Sequence, residues 1–160
     1  MPRLLKRIRS EWQIWDVAET PWIAQDEWRA GSALQVGVDA EPLVDWLEAS
    51  SIAIEFPAMT DGRGLSLAVL MRNRLGYNGE LVARGSIHQD IVHFLARCGF
   101  DAIELPDEEH LETALKWIDP HTGYYQPSVV RSESALVGAR PRPQRGGWGG
   151  RGGGRERGKR

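Results

Sequence analysis

A single cysteine in 160 residues excludes more chemistry than any residue present suggests. Cys98 alone cannot close an internal disulfide, cycle as a dithiol, or hold an iron–sulfur cluster or multi-thiolate metal site. The histidines, His88, His93, His110 and His121, show no ligand spacing; His88 and His93 fall on different sides of one predicted helix. No strand-linked Gly-x-Gly-x-x-Gly and no phosphate-loop lysine motif is present, so no dinucleotide or nucleoside triphosphate site can be read. Long apolar runs are missing too. The longest spans residues 67–71, far short of the roughly 20 that cross a bilayer. The basic start, residues 1–9, is not followed by the apolar stretch of a secretion signal. The expectation is a cytoplasmic protein in a reducing compartment, with no membrane partner, no metal and no cofactor of its own.

What is present divides by charge. Residues 140–160 hold seven arginines and Lys159 against Glu156 alone, a surplus of +7 that leaves −9 on the rest of the chain. Any nucleic-acid argument therefore belongs to the tail. Its centre, residues 145–155, resembles the arginine–glycine–glycine boxes of RNA-binding proteins. There Arg145, Arg151 and Arg155 can pair with phosphate and stack on bases, and Trp148 adds one stacking surface. Composition predicts a disordered segment over 131–160. Weak RNA binding and a merely solubilising extension stay equally open.

Upstream, the pattern is that of an α/β protein. Residues 1–30 carry Trp12, Trp15, Trp22 and Trp28 without clean periodicity, which predicts an irregular arm packed on the body, with an exposed aromatic platform as the alternative. Residues 31–130 form the α/β domain. Strand-like runs occur at 33–38, 52–56, 80–84 and 101–105. Between them lie helical patterns: Leu43, Trp46 and Leu47 after a cap at Asp39; Leu67, Leu70, Met71 and Leu75, ended by Gly76; and Ile87, Ile91, Phe94, Leu95 and Cys98, ended by Gly99. A last helix starts at Asp107 and carries Leu111, Ala114, Leu115 and Ile118. Strands alternating with helices predict about four parallel strands with right-handed crossovers, as a doubly wound sheet or half of a barrel. The working face is expected at the carboxyl ends of the strands.

That face would collect the residues with possible chemistry. The turn Thr60-Asp61-Gly62-Arg63-Gly64, with Ser66 beyond it, sits between a strand and a helix. Glycines admit a close ligand, helix-start amides favour negative charge, and Arg63 offers a forked donor to an oxyanion. The alternative is an Asp-Gly turn in which Asp61 bonds its own backbone. Arg84 and His88 would approach from the next strand end. His88 reads either as a neutral donor or base, or as a solvent-facing residue of the first helical turn. Cys98 belongs to an apolar stripe and reads as inert.

The central block resembles a bacterial family described as domain of unknown function 934. The resemblance rests on Phe56-Pro57, Asp61-Gly62-Arg63-Gly64, Leu75-Gly76-Tyr77, Gly79-Glu80-Leu81, Gly85 and Arg97-Cys98-Gly99-Phe100-Asp101, with Tyr125-Gln126 beyond, and covers roughly residues 50–127. It implies a gene neighbourhood of sulfite reductase and other sulfate-assimilation enzymes, from which members are labelled oxidoreductases of sulfite reduction. Members commonly carry Gly-Asp-Val-Leu-Arg-Asp-Gln after the third strand; here residues 85–91 read Gly-Ser-Ile-His-Gln-Asp-Ile, so an acid and a base of that motif are gone. The expectation is an accessory, oxidoreductase-associated protein of assimilatory sulfite reduction. It would bind a small oxyanion at Asp61, Gly62, Arg63, Gly64, Ser66, Arg84 and His88, or dock on sulfite reductase or a neighbouring enzyme. The alternative is an RNA-associated protein acting through its tail; an enzyme with Asp61 or His88 as base ranks third. Whether the chain catalyses anything stays open at this level.

Overall fold

Apolar residues alternate with small or polar ones along the predicted strands, and the sheet they build is covered very differently on its two faces. The computed structural model describes residues 3–120 together with 128 and 129. Seven strands form one mixed sheet: β1 (Arg3–Ile8), β2 (Glu11–Asp16), β3 (Ile23–Ala24), β4 (Ala33–Gly37), β5 (Ser51–Phe56), β6 (Glu80–Gly85) and β7 (Ala102–Ile103), in the order β2-β1-β7-β6-β5-β4-β3. From β3 to β7 neighbours are parallel. β1 runs antiparallel to both β7 and β2.

Three α-helices, α1 (Arg63–Leu70), α2 (Val92–Cys98) and α3 (Leu111–Trp117), contribute Leu67, Ala68, Val92, Leu95, Leu111 and Ala114 to one core. The strand residues in that core are Leu5, Leu34, Val36, Ile52, Ile54, Phe56, Leu81, Ala83 and Ile103. Their neighbours Leu4, Ala53, Val82 and Ala102 point the other way, where, among the described residues, Val17 and Trp22 are the partly buried hydrophobics packed against them. The helices therefore share one face, and the parallel strands follow one another without a reversal of order. Among the described residues this differs from a doubly wound sheet, which carries helices on both faces.

Three expectations are corrected. The sheet has seven strands and is mixed, not four and parallel. The predicted irregular arm contains a β-hairpin, because Arg9 and Ser10 turn the chain at φ 50° and 80° without the Asn-Gly signal such turns usually carry. β1 also buries adjacent leucines, Leu4 and Leu5, on opposite faces, so its sequence shows no apolar–polar alternation. Finally, several predicted helices are shorter. The segment after β4 is a 3-10 turn, Val44–Glu48, begun by extended Leu43 and not by Asp39; only Trp46 is buried, while Leu43, Val44 and Leu47 are exposed. The pattern at 87–98 splits into a 3-10 turn, Gln89–Ile91, and α2, leaving Phe94 outside. A π turn, Met71–Leu75, continues α1 to the left-handed cap at Gly76, and Leu70 points outward.

Two outcomes follow. Ser10→Gly removes side-chain strain at a positive φ and is expected to raise thermal stability by about 0.5–1 kcal/mol, read by calorimetry. Tyr77 is buried, its hydroxyl donates to the Ala49 carbonyl at 3.2 Å, and burial pushes its pKa from 10.0 up to about 12. The folded state thus holds this proton more tightly than the unfolded chain. Stability owed to it is full below pH 10 and is lost as pH rises toward 12. Tyr77→Phe should flatten that alkaline decline in urea titrations at fixed pH.

Candidate functional site

Three arginines near the predicted site have very different freedom. Arg63 opens α1, and its side chain is 63% exposed. Asp61 closes on it: Nε donates to Oδ1 at 2.9 Å, Nη2 to Oδ2 at 2.7 Å, and the Arg63 amide to Oδ1 at 3.1 Å. The side-chain hydrogen bond from Arg63 holds the Asp61 carboxyl below its ordinary value. The carboxylate thus occupies both the fork and the amide that an oxyanion would use, the Asp-Gly turn that the sequence left open. Gly64 serves packing: a Cβ there would lie 2.4 Å from the Phe56 ring. Gly62 and Ser66 are exposed on the same turn, where the Ser66 amide bonds the Gly62 carbonyl at 3.3 Å.

Arg72, 12% exposed, is saturated. Nε and Nη2 donate to the Gly99 carbonyl at 3.0 and 2.9 Å, Nη1 donates to the Tyr77 and Gly79 carbonyls at 2.7 and 2.8 Å, and Nη2 also reaches Asp101 Oδ2. All five donors of the guanidinium are in use. Asp101 in turn takes Arg7 on its other oxygen and the Leu81 amide at 3.2 Å. A groove of about 430 Å³ opens over this cluster, but its cations are already committed to protein acceptors.

Arg84 is different. Alternation along β6 sends Leu81 and Ala83 to the helical core and Val82 and Arg84 to the open face. There a groove of about 580 Å³ runs beneath the Val17–Trp22 segment, with Lys6, Gln35, Glu80, Arg84 and Glu104 along it. Lys6 is satisfied by Glu80 at 2.7 Å. The Arg84 Nε is enclosed yet makes no hydrogen bond among the described residues. Glu55 and Glu104 stand 3.4 and 3.7 Å away, Gln35 Oε1 is 3.4 Å from Nη1, and the Trp22 ring centre is 5.9 Å from the guanidinium carbon. These are long contacts.

The predicted constellation is therefore not assembled as one site. Arg84 faces the open side of the sheet, whereas α1, with Arg63, packs on the other. His88 caps the 3-10 turn before α2; its Nδ1 accepts the Asp90 amide at 3.4 Å and lies 3.1 Å from Asp90 Oδ2. Its ring centre sits 6.2 Å from that of His110, a juxtaposition that no sequence spacing announced. Sequence reasoning placed Glu104 near the face that carries Arg84 but missed Trp22 and Gln35 as its neighbours; the period-two alternation of β6 was the available signal. Among the described residues no cluster of three potential ligands is placed to hold a metal, and no helix is long and apolar enough to cross a membrane. Burial pushes the Cys98 thiol up, against thiolate chemistry. Arg145, Trp148, Arg151 and Arg155 lie outside the described residues, as does Tyr125-Gln126.

Arg72→Ala strands four acceptors at once, and a loss of about 3 kcal/mol or more in urea denaturation is expected.

The matching motifs now have physical readings: Phe56 against Gly64, Asp61 on Arg63, and Arg72 gathering Tyr77, Gly79, Gly99 and Asp101. No curated protein and no solved structure matches the chain. A family model described as a bacterial protein of unknown function, DUF934, matches residues 31–136, and the chain belongs to that family.

Proposed function

We propose that the chain is an accessory protein of assimilatory sulfite reduction that binds a small oxyanion in the open-face groove at Arg84, next to a partner reductase or sulfate-assimilation enzyme that carries the electron-transferring cofactors. The observation that carries the reading is the enclosed Arg84 Nε, which among the described residues has no hydrogen-bond acceptor and makes only long contacts in a groove of about 580 Å³. A forked guanidinium donates two parallel hydrogen bonds to an oxyanion, and such charge-assisted pairs are the strong ones. The sulfite context comes from the gene neighbourhood that the family resemblance implies. Glu55 and Glu104 compete for the same cation, so the bound anion displaces them rather than joining them. The oxyanion fills little of the groove, and the remaining room admits a side chain of the partner.

Calorimetric titration with sulfite, sulfate and phosphate tests this. Arg84→Ala is expected to weaken sulfite binding by about tenfold or more, while Glu104→Gln strengthens it by removing a competitor. Arg63→Ala should change neither affinity nor melting temperature appreciably. Undiminished binding in Arg84→Ala, or weaker binding in Glu104→Gln, would overturn the reading.

A further inference from the structure

The sheet ends in two unlike edges. β3, at one side, pairs over only two residues, Ile23 and Ala24, and is protected by its brevity. β2, at the other, runs for six residues and among the described residues pairs with β1 alone. Its sequence is Glu-Trp-Gln-Ile-Trp-Asp. It has no proline and no lysine, the usual guards of an open edge, and three of its residues are strong strand formers.

The direction of its backbone groups follows from β1. In an antiparallel pair, residues alternate between those bonded to the partner strand and those facing away. The Arg3 amide donates to Glu108 Oε1 at 3.2 Å and the Arg7 amide to the Asp101 carbonyl at 2.8 Å, so both point away from β2. Leu5, midway between, pairs with Ile103 of β7. The residues opposite these three on β2 are Asp16, Trp12 and Ile14. Their N–H and C=O groups therefore face the free edge, while those of Glu11, Gln13 and Trp15 bond to β1. Side chains divide the same way: Trp12 and Ile14 pack toward the helical core, whereas Trp15, opposite Leu4, stands 44% exposed on the open face.

We infer that the outer edge of β2 receives an extended segment of a partner protein as an added strand, one with aliphatic residues at its centre and basic residues at its ends. Main-chain hydrogen bonds from Trp12, Ile14 and Asp16 supply affinity, and the side-chain row supplies specificity. The charge pattern selects the occupant. Both ends of β2 are acidic and exposed, Glu11 and Asp16. A second copy must set outward residues against outward residues, as with Ile14 opposite Ile14, which places Trp12 against Asp16 and Glu11 against Val17 and offers neither acid an opposite charge. The chain's own basic residues 140–160 are poor strand material, with proline at 141 and 143 and glycine throughout 146–154 except Trp148 and Arg151. A basic-ended segment from another protein satisfies both constraints.

The test uses the full chain and two labelled peptides, Arg-Thr-Val-Thr-Val-Arg and Glu-Thr-Val-Thr-Val-Glu, followed by fluorescence anisotropy and by amide hydrogen exchange. The basic peptide is expected to bind about tenfold or more tightly than the acidic one. It should protect the amides of Trp12, Ile14 and Asp16, leaving those of Glu11, Gln13 and Trp15 unchanged. The double variant Glu11→Lys, Asp16→Lys alters exposed ends only and should invert the preference between the peptides. Asp16→Pro removes an outward donor without touching the ladder to β1 and should weaken binding of the basic peptide. Absence of binding, equal binding of both peptides, protection outside the alternate β2 amides, or self-association through β2 measured by sedimentation would each overturn the proposal.

Discussion

The Arg72 guanidinium is the contact on which the architecture turns. It leaves the π turn at the end of α1 and binds carbonyls in the loop before β6, at the end of α2, and a carboxylate at the start of β7. Two successive crossovers are thus tied at one point. Asp101 extends the tie to β1 through Arg7 and to β6 through the Leu81 amide. A planar donor with five fixed directions suits this task in a way that lysine does not. The residues it gathers, Tyr77, Gly79, Gly99 and Asp101, are those that give the chain its family resemblance, so much of the signature records how the crossovers are closed.

Covering the sheet on one face follows from sequential strand order. Each crossover lands on the same side as the last, and among the described residues only the Val17–Trp22 segment returns to the other side. That asymmetry creates the groove. On the covered face the buried strand residues join the apolar core of the helices; on the open face Leu4, Ala53, Val82 and Ala102 stand beside Lys6, Gln35, Glu80, Arg84 and Glu104, whose polar groups need partners in water or from one another. Arg84 ends with long contacts because its neighbours come from β4, from β5 and from Glu104 just past β7, at spacings the sheet fixes.

Much of this was legible in one dimension. β4, β5 and β6 lay where apolar runs bounded by turn residues placed them, and Gly76 and Gly99 stop helices in the left-handed conformation expected of them. The hairpin was not legible, because its turn is built from Arg9 and Ser10 and its first strand buries adjacent leucines on opposite faces. Helix lengths were overread for a related reason. Leu43, Leu47, Leu70 and Phe94 complete a helical stripe on paper, yet all four lie exposed, since short crossovers bury only a turn or two of each helix.

By itself the sequence determined the α/β class, the single cysteine and the lack of a dinucleotide or phosphate-loop motif, and the charge division between body and tail. These depend on residue identity and local spacing alone. Which arginine is held closely and which only by long contacts was decided only by the tertiary structure. Arg63, Arg72 and Arg84 look alike as letters, but one is matched by a carboxylate two residues away, one by three carbonyls from two separate loops, and one by neighbours at long contact distances. Those differences come from distances set by packing between segments remote in the chain.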